Sequence, residues 1–235
     1  MRTARFFVSP DWIARSAEAF TIPAGPIHKQ IVTVLRMKVG DPMSLMPNDG
    51  TEVDGHITEI NRSAIMGVIA GSKVAKPLRP DITVCAAMTK RDTFEWMLQK
   101  CTELGANAFI PLLTDRVVKR PKETPKRWQD IVREASEQSG RVTLPVIHEV
   151  MTLAGAVGKM HDRVKIAMHE AQGEGRMPKI REMDHVAIFI GPEGGFSQPE
   201  ITLLQNDGAS VVQLGELVMR AETAAIAGVA LVRLQ

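Results

Sequence analysis

From residue 82 to the C-terminus, short and continuous apolar runs alternate with segments of helical periodicity, and this alternation restricts the possible folds most strongly. The apolar runs are ITVCAAM (82–88), AFIPLL (108–113), PVIHEV (145–150), VKIAM (164–168), VAIFI (186–190) and SVVQL (210–214). Strands that are apolar throughout are typical of a parallel sheet with helices on both faces. We therefore predict an α/β domain whose ligands bind beyond the carboxyl ends of the strands.

The segments between these runs carry helix boundary signals. RDTFEWMLQKCTELG has apolar residues at helical spacing and Gly105 as a C-terminal cap. TPKRWQDIVREASEQSG has Thr124 as an N-cap, Pro125 at the first helical position and Gly140 beyond the end. Both segments are predicted to be helices that cover the sheet.

The N-terminal part of the chain has a different pattern, of short strands broken by turns. The strand candidates are RFFV, DPMSLM, TEVDGHITEI and AIMGVIA, and NDG at 48–50 is a hairpin turn signal. GSKVAKPLRP (71–80) combines glycine, prolines and basic residues, which is typical of a linker. We predict a small β-rich domain over 1–72 and the α/β domain over 73–235.

The distribution of charge is more informative than the net charge of +2. Basic residues gather in two regions, near the N-terminus and in RVVKRPKETPKR (116–127). Either cluster alone is consistent with an ordinary solvated surface. Together they favour an anionic partner, of which a phosphate backbone is the commonest.

Several classes of protein find no support in the sequence. No apolar stretch approaches the roughly 20 residues that a membrane span needs, and the N-terminus lacks the apolar core of a signal peptide, so we expect a cytoplasmic protein. Cys85 and Cys101 are far apart and have no histidine at metal-ligand spacing, which predicts buried free thiols and no metal site.

The turn GPEGGFSQPEI (191–201) directly follows the apolar run VAIFI, where a ligand is expected. It matches neither GxxxxGK[ST] nor GxGxxG, and the chain has no GxSxG. Ser197 and Glu200 have the spacing of a capping box, which predicts a helix that Gly208 ends. The glycines before it suit either close approach of a flat ligand or a tight connection, and Glu193 is the residue that a bare turn explains least.

A second segment of interest, LGELVMRAETAAIAGVALVRL (214–234), leads from a strand into a helix of small residues. Ala224, Ala225, Ala227 and Gly228 permit close packing, in a core or at a dimer interface. Arg220 and Glu222 fit such packing poorly, because a charge at the start of a buried helix needs a partner.

Four ordered segments resemble the RsmE family of 16S rRNA (uridine-N3)-methyltransferases. They are KRDTFEWMLQKCTELG, RWQDIVREASEQSGR, GPEGGFSQPEI and LGELVMRAETAAIAGVAL, and RFFV with HKQIVTVLRMKVGD resembles the N-terminal portion of that family. The resemblance implies a PUA-like β-barrel followed by a SPOUT domain with a C-terminal trefoil knot. It also implies a homodimer that binds S-adenosylmethionine and 16S rRNA or the small ribosomal subunit.

The resemblance also assigns roles to residues. It implies a cofactor pocket in the knot, between the two loops described above and a third wall at MHEA (168–171). The implied cofactor-binding residues are Met168, His169, Gly191, Pro192, Glu193, Gly194, Gly195, Leu214, Gly215, Glu216, Leu217 and Met219. Candidate RNA contacts are Arg5, Arg36, Lys90, Arg91, Lys119 and Arg120.

The sequence departs from the family pattern at a few positions. Leu217 stands where the family usually has arginine and Ala221 where threonine is common, whereas Arg220, Glu222 and Thr223 are kept. One RNA or cofactor contact is thereby in doubt. Lys90-Arg91-Asp92 replaces the more usual lysine-glycine pair and adds a positive charge.

Methylation of uracil N3 requires removal of its proton or stabilisation of the resulting anion. Glu222 is our candidate base, and Arg220 our candidate stabiliser of the negative charge. Two alternatives remain at this point. One is a noncatalytic RNA-binding factor in ribosome assembly, and the other is a SPOUT methyltransferase that acts on a different RNA position.

Overall fold

The computed structural model describes residues 3–117, 124–169 and 177–235. Two compact units are present: Met1–Pro77 with Ser136–Leu144, and Leu78–Ala135 with Pro145–Gln235. None of the helices in these described ranges is long and apolar enough to cross a membrane.

The first unit is built on a six-stranded mixed sheet. Its strands are β1 (Ala4–Phe7), β2 (Ile13–Ala14), β3 (Ala19–Pro23), β4 (Pro42–Met46), β5 (Thr51–Ile60) and β6 (Ala64–Val74), in the order β1-β4-β5-β6-β3-β2. The pair β1 and β4 is parallel and the other pairs are antiparallel. The four strands predicted here are thus confirmed, and β2 and β3 were not foreseen.

Two local features of the first unit bear on the sequence predictions. Asn48 and Gly50 have positive φ of 63° and 87° between β4 and β5, as the predicted hairpin turn requires. The linker prediction is wrong for residues 71–74, which extend β6 to Val74 and pair with β5. Pairing along a long partner strand overrides the local glycine and lysine signals, because the ladder satisfies their backbone groups. A short helix, α1 (Pro26–Lys29), which continues in a π-helical turn over Gln30–Val34, was also not foreseen.

The second unit contains a seven-stranded parallel sheet, which confirms the predicted α/β class. The strands are β7 (Asp81–Ala87), β8 (Ala108–Leu113), β9 (Val146–Ile147), β10 (Met151–Thr152), β11 (Val164–Met168), β12 (His185–Ile190) and β13 (Ser210–Val212). They lie in the order β10-β8-β7-β12-β11-β13, and β9 pairs with β8. The run at 145–150 forms only the two-residue strand β9.

The helices of the second unit cover both faces of this sheet. They are α2 (Arg91–Glu103), α3 (Lys126–Ser139), α4 (Leu153–Lys159), α5 (Gln198–Asn206) and α6 (Ala221–Arg233), of which α3 extends into the segment grouped with the first unit. Apolar residues of α2, α3 and α6 pack with Val84, Ile166 and Ile188, whereas those of α4 and α5 pack with Cys85 and Phe189. Alternate residues of one strand therefore enter different cores, which is why the strands are apolar throughout.

The predicted helix boundaries are close to the observed ones. Helix α2 ends before Gly105, whose φ is 98°, and α3 is followed by Gly140 at 86°. Helix α3 begins at Lys126, one residue after the predicted start.

Both cysteines are buried free thiols, as predicted, and burial raises the pKa of each well above its usual range.

Helix α6 packs tightly against the middle of the sheet. From the edge strand β13 the chain returns to α6, which lies against β12 and β7 and against α2. Gly228 is the point of closest approach, since a Cβ there would lie 2.8 Å from Met168 Cε and 3.4 Å from Ile188 Cγ2. The small residues of α6 thus serve packing in the core of this unit.

Replacing Gly228 with leucine is expected to lower the free energy of unfolding by about 1–3 kcal/mol, because its Cβ must displace the end of the Met168 side chain and the rest of the leucine must fit beside Ile188. Chemical denaturation would measure this change. Gly158→Leu is the matched control, since a Cβ at this exposed position of α4 meets nothing within 4 Å. Equal losses in the two variants would contradict this account of the packing.

Candidate functional site

The candidate site lies where three neighbouring strands end. Met168 of β11 is paired with Ile190 of β12 and with Val212 of β13, so the last residues of the three strands are level. Each strand is followed by a loop at the same edge of the sheet, as the rule for ligand binding in parallel sheets requires. A cavity of about 220 Å³ opens there.

All three segments predicted to form the pocket contribute to this cavity. The residues that line it are Met168, His169, Ile190, Gly191, Pro192, Glu193, Gly195, Val212, Gln213, Leu214, Leu217, Val218, Met219, Arg220, Ala221 and Ala224. Of the predicted cofactor residues, Gly194, Gly215 and Glu216 do not line the cavity, although the structure describes them. Glu170 and Ala171 of the third segment are outside the described residues.

Sequence reasoning missed several residues of the lining. Ile190 and Val212 are strand ends, and their apolar character suggested only core packing. The strand-end rule was the available signal, because it places the last residue of each such strand beside the ligand. Gln213, Val218 and Ala224 carried no signal of their own.

The glycine turn presents bare backbone to the cavity. A Cβ on Gly191 would lie 3.0 Å from the Phe196 backbone nitrogen and 3.1 Å from the Gly195 carbonyl carbon, so a side chain at this position would displace main chain. Gly195 has a positive φ of 69° and its N–H donates to the Pro192 carbonyl at 2.8 Å. The turn is therefore compact. Gly191 is required because a side chain has no space there, and Gly195 because its positive φ favours glycine.

The helix after the turn begins as predicted. A capping box joins Ser197 and Glu200 at the start of α5, and the Ser197 N–H donates to Glu200 Oε2 at 2.8 Å. The same carboxylate accepts a hydrogen bond from the Asp115 N–H at 2.9 Å, and the Ser197 hydroxyl donates to Asp115 Oδ2. The loop after β8 is thus fastened to the start of α5.

Arg116, in this loop, holds the glycine turn directly. Its guanidinium Nη1 donates to the Gly194 carbonyl, and its Cδ would lie 3.3 Å from a Cβ at position 194. Its partner is 78 residues away in the sequence, which is why sequence reasoning placed Arg116 only within a basic cluster. Gly194 therefore contacts Arg116 and does not line the cavity.

Replacing Arg116 with alanine is expected to weaken binding of S-adenosylmethionine, the cofactor that the resemblance implies, roughly two- to tenfold, the equivalent of one hydrogen bond of about 0.5–1.5 kcal/mol. Isothermal titration calorimetry would give the dissociation constant. Arg181→Ala removes a similar exposed charge before β12, at the opposite end of that strand from the turn, and should leave the affinity unchanged. An unchanged affinity in Arg116→Ala would show that the turn keeps its conformation without this bond.

The two charged residues proposed for chemistry differ in position. Arg220 is exposed and lines the cavity, just before α6. Its charge is therefore solvated, and the prediction that this charge needs a partner because the helix start is buried is wrong. Glu222 is half-buried in the first turn of α6 and does not line the cavity. A carboxylate in the first turn of a helix is favoured by the helix dipole, which accounts for Glu222 structurally.

The predicted RNA contacts belong to both units. Arg5 pairs with the buried Glu52 at 3.1 Å, and Arg36 adopts a positive φ of 53° on the surface of the same unit. Lys90 and Arg91 are exposed at the start of α2. Lys119 and Arg120 lie outside the described residues.

The chemical character of the site suits a flat, partly polar cofactor. Met168, Ile190 and Val212 supply an apolar floor, and the glycine turn supplies backbone that a flat ring can approach. Glu193 and Arg220 add one charge of each sign at the rim. Within the described residues, no three His, Cys, Asp or Glu side chains are grouped as a metal site would require.

Comparison with known proteins defines the class to which this fold and site belong. Residues 76–233 match the family model described as RNA methyltransferase domain, which is more than half of the chain. The fold is also that of a ribosomal RNA small subunit methyltransferase E from Neisseria gonorrhoeae, whose crystal structure holds S-adenosylmethionine. The two superpose with a TM-score of 0.88 over 99% of this chain and 98% of that one, at 25% identity.

Relatives of known name narrow the class further. Ribosomal RNA small subunit methyltransferase E from Bacillus subtilis is 30% identical over 88% of this chain and 87% of its own length. The protein of that name from Rickettsia conorii is 31% identical over 87% and 85%. The chain therefore belongs to the ribosomal RNA small subunit methyltransferase E family. The family resemblance found in the sequence is confirmed.

Proposed function

We propose that this chain transfers a methyl group from S-adenosylmethionine to N3 of a uridine in the decoding region of 16S rRNA. The observation that carries the proposal is the cavity at the ends of β11, β12 and β13, since it joins two of the four segments through which the chain resembles this family, GPEGGFSQPEI and LGELVMRAETAAIAGVAL, with the implied third wall at Met168 and His169. Membership of the methyltransferase E family supports S-adenosylmethionine as the methyl donor and ribosomal RNA as the substrate.

The cofactor would lie against the three loops of the cavity. Met168, His169 and the turn Gly191–Gly195 would form one side, and Leu214–Met219 the other. When bound, S-adenosylmethionine supplies a methyl group on a sulfonium, an electrophile that needs an aligned nucleophile and little further activation. The backbone of the glycine turn would fix the position of the cofactor, and the apolar floor would exclude water.

The chain's own residues would prepare the nucleophile. Uracil N3 carries a proton that must be lost before the nitrogen can attack, and the resulting negative charge spreads onto the uracil carbonyls. Arg220 is placed at the cavity to stabilise that charge. We assign removal of the proton to Glu222, two residues further along the chain. Because N3 is paired in a duplex, the target uridine must be unpaired or flipped out.

Further parts of the proposal concern the architecture. We propose that the β-rich unit is a PUA-like barrel that grips RNA, with Arg36 among its phosphate contacts, and that the second unit is a SPOUT domain. The return of the chain from β13 to α6 across the sheet supports a trefoil knot.

Two apolar side chains at the cavity, Leu217 and Val218, are 83% and 73% exposed. We propose that a second copy of the chain covers them in a homodimer. An rRNA substrate would place the protein in the cytoplasm.

The proposal is tested by incubating the purified chain with S-adenosylmethionine and either 16S rRNA or small subunits that lack the modification. Mass spectrometry of nuclease fragments should find one added methyl group, and reverse transcription should stop at a modified N3. A methyl group at a ribose oxygen or another base would overturn the assignment to N3. Binding of RNA without binding of S-adenosylmethionine would favour a noncatalytic assembly factor.

A further inference from the structure

A buried carboxylate joins two exposed guanidinium groups at the start of two helices. Glu95 of α2 accepts a hydrogen bond on Oε1 from Arg91 Nε at 2.9 Å and another on Oε2 from Arg127 Nε at 2.8 Å. The Glu95 side chain is 10% exposed, whereas those of Arg91 and Arg127 are 71% and 61% exposed. We name these three residues the arginine fork.

The carboxylate stays charged in this position. Burial by itself raises the pKa of Glu95, but hydrogen bonds from Arg127 and Arg91 outweigh it and hold the pKa below its usual value. A carboxylate with both oxygens occupied holds each guanidinium in a fixed orientation. Next to the fork, the rings of Phe94 and Trp128 pack at a centroid distance of 4.6 Å and hold the two helix starts together.

Most of the donor capacity of the fork is unused. In the hydrogen bonds of residues 3–117, 124–169 and 177–235, both guanidiniums use Nε alone. A guanidinium has five N–H donors, so about four remain on each arginine and face solvent. Two guanidiniums with free terminal nitrogens suit an anion with several oxygens, such as a phosphate, better than a single carboxylate.

The helix positions of the two arginines are also unusual for a purely structural pair. Arg91 is the first residue of α2 and Arg127 the second of α3. A positive charge is disfavoured at a helix N-terminus, where the free N–H groups favour an anion. Both helix starts and both guanidiniums would gain from the same negatively charged partner.

The fork lies at the edge of the sheet that holds the cavity. Ala86 of β7 is paired with Ile190 of β12, and β7 is parallel to β12. The chain leaves β7 at Ala87 and begins α2 four residues later, at Arg91. At the same edge of the sheet it leaves β12 and enters the glycine turn. A polymer whose reactive base enters the cavity would therefore have its backbone within reach of this edge.

We propose that the arginine fork binds a phosphodiester of the RNA substrate, with Arg91 and Arg127 as the ligands and Glu95 as the positioning residue. The inference rests on the proposed function, because it takes RNA as the substrate. It adds Glu95 and Arg127 to the residues that recognise this RNA. The competing account is a structural link between α2 and α3, in which the exposed nitrogens bind only water.

The two accounts predict opposite signs for a substitution that removes negative charge. Glu95→Gln makes the surface more positive, so general electrostatic attraction would tighten RNA binding or leave it unchanged. If Glu95 orients the fork, the same variant should instead weaken binding about threefold or more. Asp92→Asn is the matched control, since Asp92 is an exposed acid on the same helix that acts on Arg127 through its charge alone and makes no side-chain hydrogen bond or ion pair within the described residues.

The experiment is a filter-binding titration of the full chain with a 16S rRNA transcript over a range of salt concentrations. Arg91→Gln and Arg127→Gln should each raise the dissociation constant roughly three- to tenfold and reduce the salt slope by about 1. Glu95→Gln should weaken binding, and Asp92→Asn should not. Equal or tighter binding by Glu95→Gln, with unchanged binding by both arginine variants, would overturn the proposal.

Two further measurements separate this proposal from others. Thermal unfolding identifies any variant that fails to fold, and the two arginine variants alter only exposed side chains, so they test the fork even if Glu95→Gln is unstable. Calorimetry with S-adenosylmethionine should give wild-type affinity for every variant. Failure of the wild-type chain to methylate RNA would refute the proposed function. If the wild-type chain methylates RNA but the substitutions in the arginine fork leave its RNA affinity unchanged, this inference alone would be refuted.

Discussion

A chain in which valine replaces Gly191 is expected to lose most of its affinity for S-adenosylmethionine. The Cβ of any side chain at 191 would lie 3.0 Å from the Phe196 backbone nitrogen and 3.1 Å from the Gly195 carbonyl carbon. Atoms of the main chain cannot move aside as a side chain can, so the turn itself must shift. Overpacking of this kind costs about 1–3 kcal/mol, and we expect the dissociation constant to rise roughly tenfold or more.

Calorimetry on folded protein is the measurement for this prediction, and Gly191→Ala should give a smaller loss than valine. Gly71→Val is the control, because a Cβ there meets nothing within 4 Å and the residue belongs to the first unit. A Gly191→Val protein that binds S-adenosylmethionine normally would exclude this turn as a wall of the cofactor pocket.

The second large effect is expected from the two charged residues before and within the first turn of α6. Arg220→Ala should lower kcat for methylation about 100- to 1000-fold, the typical cost of removing a group that stabilises developing negative charge. Glu222→Gln should lower kcat about 100-fold or more if this carboxylate takes the N3 proton. Single-turnover methylation of 16S rRNA with saturating S-adenosylmethionine would measure both.

The control for this pair is Asp162→Asn, an exposed acid just before β11, at the opposite end of that strand from the cavity. Because Glu222 also lies outside the cavity lining, its variant should keep normal affinity for S-adenosylmethionine. Normal turnover by Glu222→Gln would exclude it as the base, and the charge at Arg220 would then be the main catalytic contribution of this segment.

Two of the positions at which the sequence departs from the family pattern, Leu217 and Ala221, lie at the cavity. Leu217, which stands where the family usually has arginine, is 83% exposed and lines the cavity. Ala221 lines it too, without the hydroxyl of a threonine. Among the described residues that line the cavity, Arg220 is the one that carries a guanidinium.

Local signals in the sequence predicted the elements well. Strands β8 and β11 have the bounds of their apolar runs, because runs of five or six apolar residues are short for a helix and suit a sheet that is covered on both faces. The ends of α2, α3 and α5 follow from residues that satisfy or terminate helix backbone, such as Gly105, Gly140 and the Ser197–Glu200 box. Where two strands pair over a long distance, as at Gly71–Val74, the local signal failed.

The order of the strands was beyond the sequence. Residues of β12 are as apolar as those of β7 and β11, and nothing in their composition states which neighbours they pair with. The pairing of β11 with both β12 and β13 depends on how helices and loops of the whole unit pack together. That order is what makes Met168, Ile190 and Val212 level and creates the cavity.

The sequence by itself determined the α/β class, most of the strand and helix bounds and, through four ordered segments, the family. These depend on residues close together in the chain, whose apolar periodicity and capping act over one or two turns. Tertiary structure alone decided the contacts between distant residues: Arg116 with the Gly194 carbonyl, Glu95 with Arg127, and Gly228 with Met168. Such contacts form only once the sheet order is fixed, because the chain between the partners has no signal that specifies the distance between them.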